Sequence, residues 1–479
     1  MKTKCTIIRV DGGLLIKPYD IVIIGGGPGG YTAAIRASIK GAKVAVVETD
    51  RLGGVCLNRG CIPSKTLIAS ATLYHKIKNA STLGINIETP PSYDWPVMIE
   101  RKNHIVNMLV GGIEKLFDSH GVTYIKGRGR LLDHNKVSVS VADGTETVLD
   151  TEDIIIATGS RSRDLPGLSI DGKKVLNSDH MFELQKLPKS ILIVGAGVIG
   201  CEWAFMLAML GVQVTVVEML QQALPLEDSD SARLIQRELK KLKVKLHTGT
   251  TINSLVAGPG SVQAELSNGK TIETEQTFVA VGRAFNTEDL GLENIGVELN
   301  KNGAIKTDNH MRTNIDNIYA IGDVRGEMLL AYTAVHDGEV AIDNALGGQA
   351  EKNYLGVPSV IFTHPEVASV GLSEAAAAKK YKITVGRFPL RALGKAHAED
   401  EISGEVKVIG DEDNDQLLGV HIMGTHATEI IHTAALAIRQ GITVKQLGDL
   451  IFGHPVISES LMEAAHDLHG TCVHLPHRK

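Results

Sequence analysis

The sequence predicts an α/β chain with two Rossmann-like dinucleotide-binding units and a C-terminal α+β domain. Three observations carry this. The stretch YDIVIIGGGPGGYTAAIRASIKGAKVAVVE (residues 19–48) reads as strand, glycine turn, helix, strand, acid. The stretch SILIVGAGVIGCEWAFMLAMLGVQVTVVE (190–218) repeats that order. From about residue 351 the character changes to alternating, strand-like runs between helical stretches. At 479 residues the chain is too long for one hydrophobic core, so two to four domains are expected.

The elements follow in order. In the first unit the fingerprint is Gly25, Gly27 and Gly30, closed by Glu48. Glycines there allow a tight turn and a close approach to a pyrophosphate. The helix N-terminus supplies N–H donors, and the acid bonds a ribose hydroxyl. Residues 121–160 read as short strands with turns, with Gly129 placed among the cofactor-lining positions. The run Ile154–Ala157 then enters the turn Thr158, Gly159, Ser160. In the second unit the fingerprint is Gly195, Gly197 and Gly200, and the strand-end acid is Glu218, which favours NAD over NADP. A related turn follows at Gly282 and Arg283. Residues 315–324 give a strand ending at Gly322-Asp323, where the acid suits a ribityl hydroxyl or, alternatively, caps a helix. A helix is expected over 334–347. In the last domain strands are expected at 404–410 and 417–423, with helices near 373–380, 426–440 and 458–469.

Composition narrows the function. Net charge is -6 with no long basic run, so no nucleic-acid or anionic-membrane partner is expected. Residues 1–19 lack the apolar core of a signal peptide, and no apolar stretch approaches a membrane span. A cytoplasmic protein is expected. The five cysteines, Cys5, Cys56, Cys61, Cys201 and Cys472, are too few and odd in number for a secreted disulfide framework.

Cys56 and Cys61 lie in GGVCLNRGCIPSK, eight residues past Glu48. Such a pair is a metal site, a structural bridge, or a dithiol that turns over. Zinc needs four ligands; there is no second pair, and the nearest histidine is His75, so no metal is expected. Pro63 suits the first turn of a helix, which puts the pair at a helix N-terminus, where the dipole stabilises a thiolate. Lys65 falls one turn beyond Cys61. A disulfide over a short loop beside a flavin is a two-electron relay between hydride and thiol–disulfide exchange. The relay needs a base. His454, with Glu459 behind it in FGHPVISE, qualifies, and so does His364 in THPE; spacing does not choose between them.

The cysteine motif, both fingerprints, YAIGDV, THPEVASVG and HPVISE together resemble the flavin-dependent pyridine nucleotide–disulfide oxidoreductases, and IPSK, Glu218 and the HPxxSE ending resemble their dihydrolipoyl-oxidising branch. The resemblance runs from about Tyr19 to Gly470. It implies an FAD-binding domain in two parts (1–160 and 283–350), an NAD-binding domain (161–282) and a dimerisation domain (351–479). It also implies roles. Cys56 is similar to the thiol that exchanges with substrate, and Cys61 to the thiolate facing the flavin. Lys65 matches a lysine near the flavin, and Glu202 matches its partner. His454 matches the acid–base histidine, with Glu459 behind it, and serves the other subunit of a homodimer. His364 matches a structural position, and Leu329, Leu330, Ala331 and Tyr332 match a flavin-contacting stretch. FAD and NAD are the implied cofactors. Lipoyl domains of an acyltransferase or of a glycine cleavage carrier protein are the implied partners, supplied by other proteins because no lipoyl-type domain precedes Tyr19.

Arg59 and Tyr332 depart from the family pattern, and the single tail cysteine, Cys472, argues against the branches that carry a tail pair. Two other readings are weighed against dihydrolipoyl oxidation. One is an NAD(P)H-dependent reductase of another low-molecular-weight disulfide. The other is a flavin-bearing scaffold within a larger complex.

Overall fold

The stretch YDIVII, with its apolar run Ile21–Ile24, forms the strand Tyr19–Ile24 in a computed structural model that describes residues 18–165 and 167–476. The opening segment read for targeting, with Cys5, lies outside the described residues. The chain divides into two units. One holds residues up to Asn58, Asn107–Arg161 and Phe285–Lys352; the other holds Arg59–Val106, Ser162–Ala284 and the residues from Asn353 on.

In the first unit, Tyr19–Ile24 lies between Val44–Glu48 and the second half of the strand Glu146–Ile156, all parallel, with Ile21 opposite Val44 and Val22 opposite Ile154. Thr123–Lys126 and Ile318–Ala320 extend this parallel array at either side. Ile21, Val22, Ile23, Ile154, Ile155 and Ile156 are fully buried. A parallel sheet is covered on both faces, which is why its strands are continuous apolar runs instead of alternating ones. The first half of Glu146–Ile156 turns instead into an antiparallel meander with Lys136–Ser140 and Arg128–Asp133. The crossover helix Pro28–Ile39 packs closely on the helix Ala331–Ala345. A Cβ at Gly29 would sit 2.9 Å from the Ala334 carbonyl oxygen, and one at Gly338 would sit 3.1 Å from that of Gly29.

The second unit repeats the plan. Ser190–Val194 lies between Gln213–Val217 and Gln276–Val279, with Lys245–His247 and Val175–Leu176 outside them, all parallel. Its crossover helix, Val198–Met209, is apolar apart from Glu202 and largely buried from Gly200 on, because the helix Cys61–Lys78 covers the face that the sheet does not. A three-stranded meander, Ile252–Ala257, Val262–Leu266 and Thr271–Thr274, stands beside this sheet and was not expected.

The α+β domain lies in the same unit. Its antiparallel sheet runs in the order Ser359–Ile361, Val367–Gly371, Leu417–Met423, Glu405–Asp411, Ile383–Pro389. The helices Ala427–Arg439 and Glu459–Leu468 pack on it. Gly386 is what lets the latter in: a Cβ there would fall 2.0 Å from the Ala464 carbonyl oxygen. The expected fold class is borne out. The helices foreseen at 334–347 and 426–440 start or end within a few residues of Ala331–Ala345 and Ala427–Arg439, whereas the one foreseen at 373–380 is only the short turn Glu374–Ala377.

Candidate functional site

The two glycine fingerprints adopt the same geometry. Gly25 and Gly195 have φ of +109° and +101°, and a Cβ would lie 2.3 Å from the Ala157 oxygen at the first and 2.4 Å from the Ala280 oxygen at the second. No L side chain fits there. A Cβ at Gly30 or Gly200 would lie about 2 Å from the carbonyl oxygen of the first glycine of its motif. Gly27 and Gly197 are extended N-cap residues, and neither helix they open carries a side-chain cap. Both 12-residue helices therefore present N–H groups that no side chain of the cap position satisfies. A Cβ on Gly197 would meet nothing within 4 Å, so the space before that helix is open.

The strand-end acids match as well. Glu48 accepts from the N–H of Gly26 at 2.7 Å and of Asp50 at 2.8 Å. Glu218 accepts from Ala196 and Leu220 at the same two distances. Each carboxylate is thus oriented beside its glycine turn with lone pairs left for ribose hydroxyls. Met219 and Leu220 follow Glu218, with no arginine to favour a 2′-phosphate. These cradles fit two dinucleotides.

The turns that end the central strands are open too. Gly159 (φ +69°) and Gly282 (φ +110°) have nothing within 4 Å of a built Cβ. Asn286, which sequence reading missed, pins the first turn. It donates from its side chain to the Thr158 carbonyl at 2.8 Å, accepts from the Thr158 hydroxyl at 2.7 Å, and donates its N–H to Gly159 at 3.0 Å. Arg283 begins the strand Arg283–Phe285, half-buried. Ser160 donates its hydroxyl to Asp323, which lies in the 3₁₀ turn Gly322–Arg325. That turn is fixed from below by buried Asp337, which accepts from the Gly322 N–H at 3.0 Å and from Arg325 at 2.7 Å. Leu330 caps the helix Ala331–Ala345, and Leu329 and Tyr332 are exposed beside it. Gly129 is buried within a strand, where a Cβ would press on Ile24 and Val47 at 3.0 and 3.3 Å; its glycine is explained by packing.

The cysteine segment differs from the expected loop. It is two successive helices, Gly54–Arg59 and Cys61–Lys78, broken at Gly60. Asn58 stitches the first, donating to the Leu52 and Gly54 carbonyls at 3.0 and 2.9 Å. Cys56 is the third residue of the first helix. Cys61 is the first residue of the second, with Pro63 in its first turn as expected. The other described cysteines are held as thiols. Burial pushes Cys201 up to about 12, and burial with a bond to Glu463 pushes Cys472 up to about 11.

One turn beyond Cys61, Lys65 reaches both oxygens of Glu202 at 3.0 Å. Glu202 is 5% exposed and also accepts from the Phe362 N–H at 3.0 Å. The ammonium lies 4.4 Å from the centre of the Phe362 ring. Lys65 is therefore fixed as a directed cation.

Of the two candidate bases, His364 is partly buried against His75, their rings 5.5 Å apart, and burial lowers its pKa. His454 is 80% exposed and is oriented at 2.9 Å through Nδ1 by Glu459, whose other oxygen accepts from the Val456 N–H at 2.9 Å. Burial pushes the Glu459 carboxyl up, but these two hydrogen bonds and the nearby imidazoles outweigh it and hold the acid below its ordinary range. An ionised acid on Nδ1 leaves Nε2 free to take a proton.

Known proteins match this arrangement along nearly its whole length. Residues 19–338 match the model of the family described as pyridine nucleotide-disulphide oxidoreductase, and residues 357–465 match that family's dimerisation domain. The dihydrolipoyl dehydrogenase of Chlamydia muridarum is 40% identical over 463 residues, covering 96% of this chain and 99% of that protein. The dihydrolipoyl dehydrogenase of Bacillus subtilis is 40% identical over 472 residues, covering 95% and 99%. Among solved structures, LpdA of Mycobacterium tuberculosis superposes with a TM-score of 0.88 at 31% identity, covering 94% and 99%. The HOCl-induced flavoprotein disulfide reductase RclA of Escherichia coli superposes with a TM-score of 0.85 at 29% identity, covering 94% and 99%.

Proposed function

Since this chain belongs to the pyridine nucleotide-disulphide oxidoreductase family, we propose that it oxidises protein-bound dihydrolipoyl groups with NAD, using FAD and a Cys56–Cys61 disulfide. The observation that carries the reading is a thiol at the N-terminus of helix Cys61–Lys78, one turn before a lysine held by a buried glutamate, just downstream of an acid-closed dinucleotide cradle.

The chain's own residues have these tasks. A dihydrolipoyl thiol gives its proton to His454 Nε2 and attacks Cys56. The enzyme disulfide breaks and a substrate–Cys56 mixed disulfide forms, with Cys61 leaving as a thiolate at the helix N-terminus. His454 passes that first proton to Cys56 as it is released and takes the proton of the second substrate thiol, whose sulfur attacks the first; the bond to Cys56 breaks and the lipoyl ring closes. FAD, when bound, would supply the two-electron chemistry that links the reduced Cys56–Cys61 dithiol to NAD, the hydride acceptor. Glu459 orients His454 and stabilises its charge, while Lys65, held by Glu202, supplies a fixed positive charge to the flavin site. The cradle of Gly25, Gly27, Gly30 and Glu48 would hold FAD, with Asp323 available to a ribityl hydroxyl; that of Gly195, Gly197, Gly200 and Glu218 would hold NAD.

A second copy completes the site. His454 is 80% exposed and Ile451, three residues earlier, is 93% exposed, a surface suited to burial against another subunit. The lipoyl group arrives on the swinging domain of an acyltransferase or a glycine cleavage carrier protein. No helix among the described residues is long and apolar enough to cross a membrane, and the sparse, odd cysteine set suits a reducing cytoplasm.

The test is anaerobic. Adding dihydrolipoamide to the yellow protein should produce a long-wavelength thiolate–flavin band, and NAD should then yield NADH. Cys56→Ser and Cys61→Ser should each abolish turnover. If dihydrolipoamide leaves the spectrum untouched while NADH or NADPH produces the band, the protein is a reductase of another disulfide.

A further inference from the structure

We propose that His474, acting through Glu463, is a positioning residue that fixes the electrostatic setting of the Glu459–His454 pair and so the pH range in which the base works. The inference rests on the functional reading above. Glu463 follows Glu459 by four residues on the helix Glu459–Leu468, so the two carboxylates share a face one turn apart. Glu463 is 3% exposed, and the C-terminal tail takes both of its oxygens. His474 Nδ1 lies 2.7 Å from Oε1, and the Cys472 thiol donates to Oε2 at 2.9 Å. Cys472 and Leu475 pack against the core of the domain, which anchors the tail and holds the imidazole between them in place.

Burying an acid costs more than burying an apolar side chain, and here both carboxylate oxygens are satisfied by donors from the tail. Two like charges four apart on a helix repel, and the repulsion would disturb Glu459 unless a cation faced Glu463. His474 is that cation when it is protonated on both nitrogens. Its charge acts on Glu459 as well, in the same direction as that of His454. The helix thus carries two acid–imidazole pairs in succession, one aimed at the substrate and one braced by the tail.

Four other charged groups around this helix are engaged elsewhere, and a fifth, His466, lies in its last turn with its ring against Gly448. Asp467 accepts from the Arg387 backbone N–H on the strand Ile383–Pro389. Lys445 on the helix Val444–Gly448 pairs with Asp449 at 2.6 Å. Lys407 on the strand Glu405–Asp411 is bonded to Asp228 and Glu374. His469 pairs with Asp415 at 2.8 Å.

The measurement is the pH dependence of kcat/KM for dihydrolipoamide oxidation by the full-length holoenzyme, with thermal unfolding in parallel. Removing the cation with His474→Gln should move the acid limb upward by about 0.3–0.7 pH unit, because the imidazolium of the base then sees more negative charge. Glu463→Gln should move it the opposite way. His474→Arg keeps a cation and should leave the limb near that of the unaltered protein. An acid limb that stays put in all three, whatever happens to rate or melting temperature, would overturn the proposal. If Glu463→Gln fails to fold, the His474→Gln and His474→Arg pair decides alone, since that side chain is 62% exposed. His454→Gln is the control. If it leaves rate and limb intact, the base assignment itself fails; if it abolishes turnover while the tail variants shift nothing, only this inference fails.

Discussion

Replacing Glu459 by glutamine keeps the shape of the base's partner and removes its charge. Glu459 serves two donors, His454 Nδ1 and the Val456 N–H, each at 2.9 Å, from a side chain only 15% exposed. An amide has one oxygen and one NH₂ group, so it satisfies only one of them. If its oxygen faces Val456, its NH₂ faces Nδ1. The imidazole must then carry its proton on Nε2, the atom that has to accept one from substrate. If the amide is reversed, the Val456 N–H faces another donor, at a cost of about 1–3 kcal/mol. In either orientation the forming imidazolium loses a charge-assisted bond, worth about 1–2 kcal/mol at this exposed ring. Together these raise the barrier by about 2–5 kcal/mol, or roughly 30- to 5,000-fold in kcat/KM. The assay is initial-rate dihydrolipoamide oxidation by NAD between pH 6 and 9. The acid limb should also move down, because the imidazolium has lost its counter-charge. A loss under about threefold across that range would refute the reasoning.

Gly197→Ala tests the second cradle. The residue is extended, and a Cβ there meets nothing within 4 Å, so folding should be unaffected; the methyl instead enters the open space that the proposed function assigns to the pyrophosphate. The KM for NAD should rise at least about tenfold while reduction of the flavin by dihydrolipoamide is unchanged; an unaltered KM would remove NAD from this site. Lys407→Met tests the α+β domain. Its ammonium, 2% exposed, is bonded to Asp228 at 2.6 Å, to Glu374 at 2.8 Å and to Asp230. Losing it should cost about 3–5 kcal/mol in denaturant unfolding. Burial pushes the Asp228 carboxyl up, but the bonds from Lys407 and two backbone N–H groups bring it down to about 2. A depressed folded-state value means that its contribution, on the order of 2 kcal/mol, is complete above about pH 4 and lost as pH falls toward 2. In Lys407→Met that acid-sensitive portion should shrink, and an unchanged pH dependence would show that the network does not set it.

What was legible in the sequence is what the backbone demands locally. Gly25 and Gly195 need a left-handed φ and tolerate no Cβ, so their spacing alone marks the turns. The buried runs Ile21–Ile24 and Ile191–Val194 announce their strands as unbroken apolar stretches. Elements with mixed surroundings do not. Glu146–Ile156 is alternating where it joins the meander and continuous where it joins the parallel sheet, so within the short strands read over 121–160 only its last third could be placed by itself. The 26-residue helix Trp95–His120 carries Gly111-Gly112 and a mostly exposed surface, and Ile383–Pro389 is an edge strand whose apolar pattern is interrupted by Gly386, the glycine that admits a helix. The loop expected between the cysteines is helical because Asn58 bonds back to the segment's start, a side-chain choice that periodicity does not see. The site divides in the same way. Glu459 lies five residues from His454 and could be paired with it on spacing. Lys65 and Glu202 are 137 residues apart, and only the family resemblance joined them before the structure did. His474 and Glu463 had neither advantage: the tail is irregular, and its contact exists only because Cys472 and Leu475 dock on the core. Function that depends on a turn can be read from sequence; function that depends on where a tail comes to rest has to wait for coordinates.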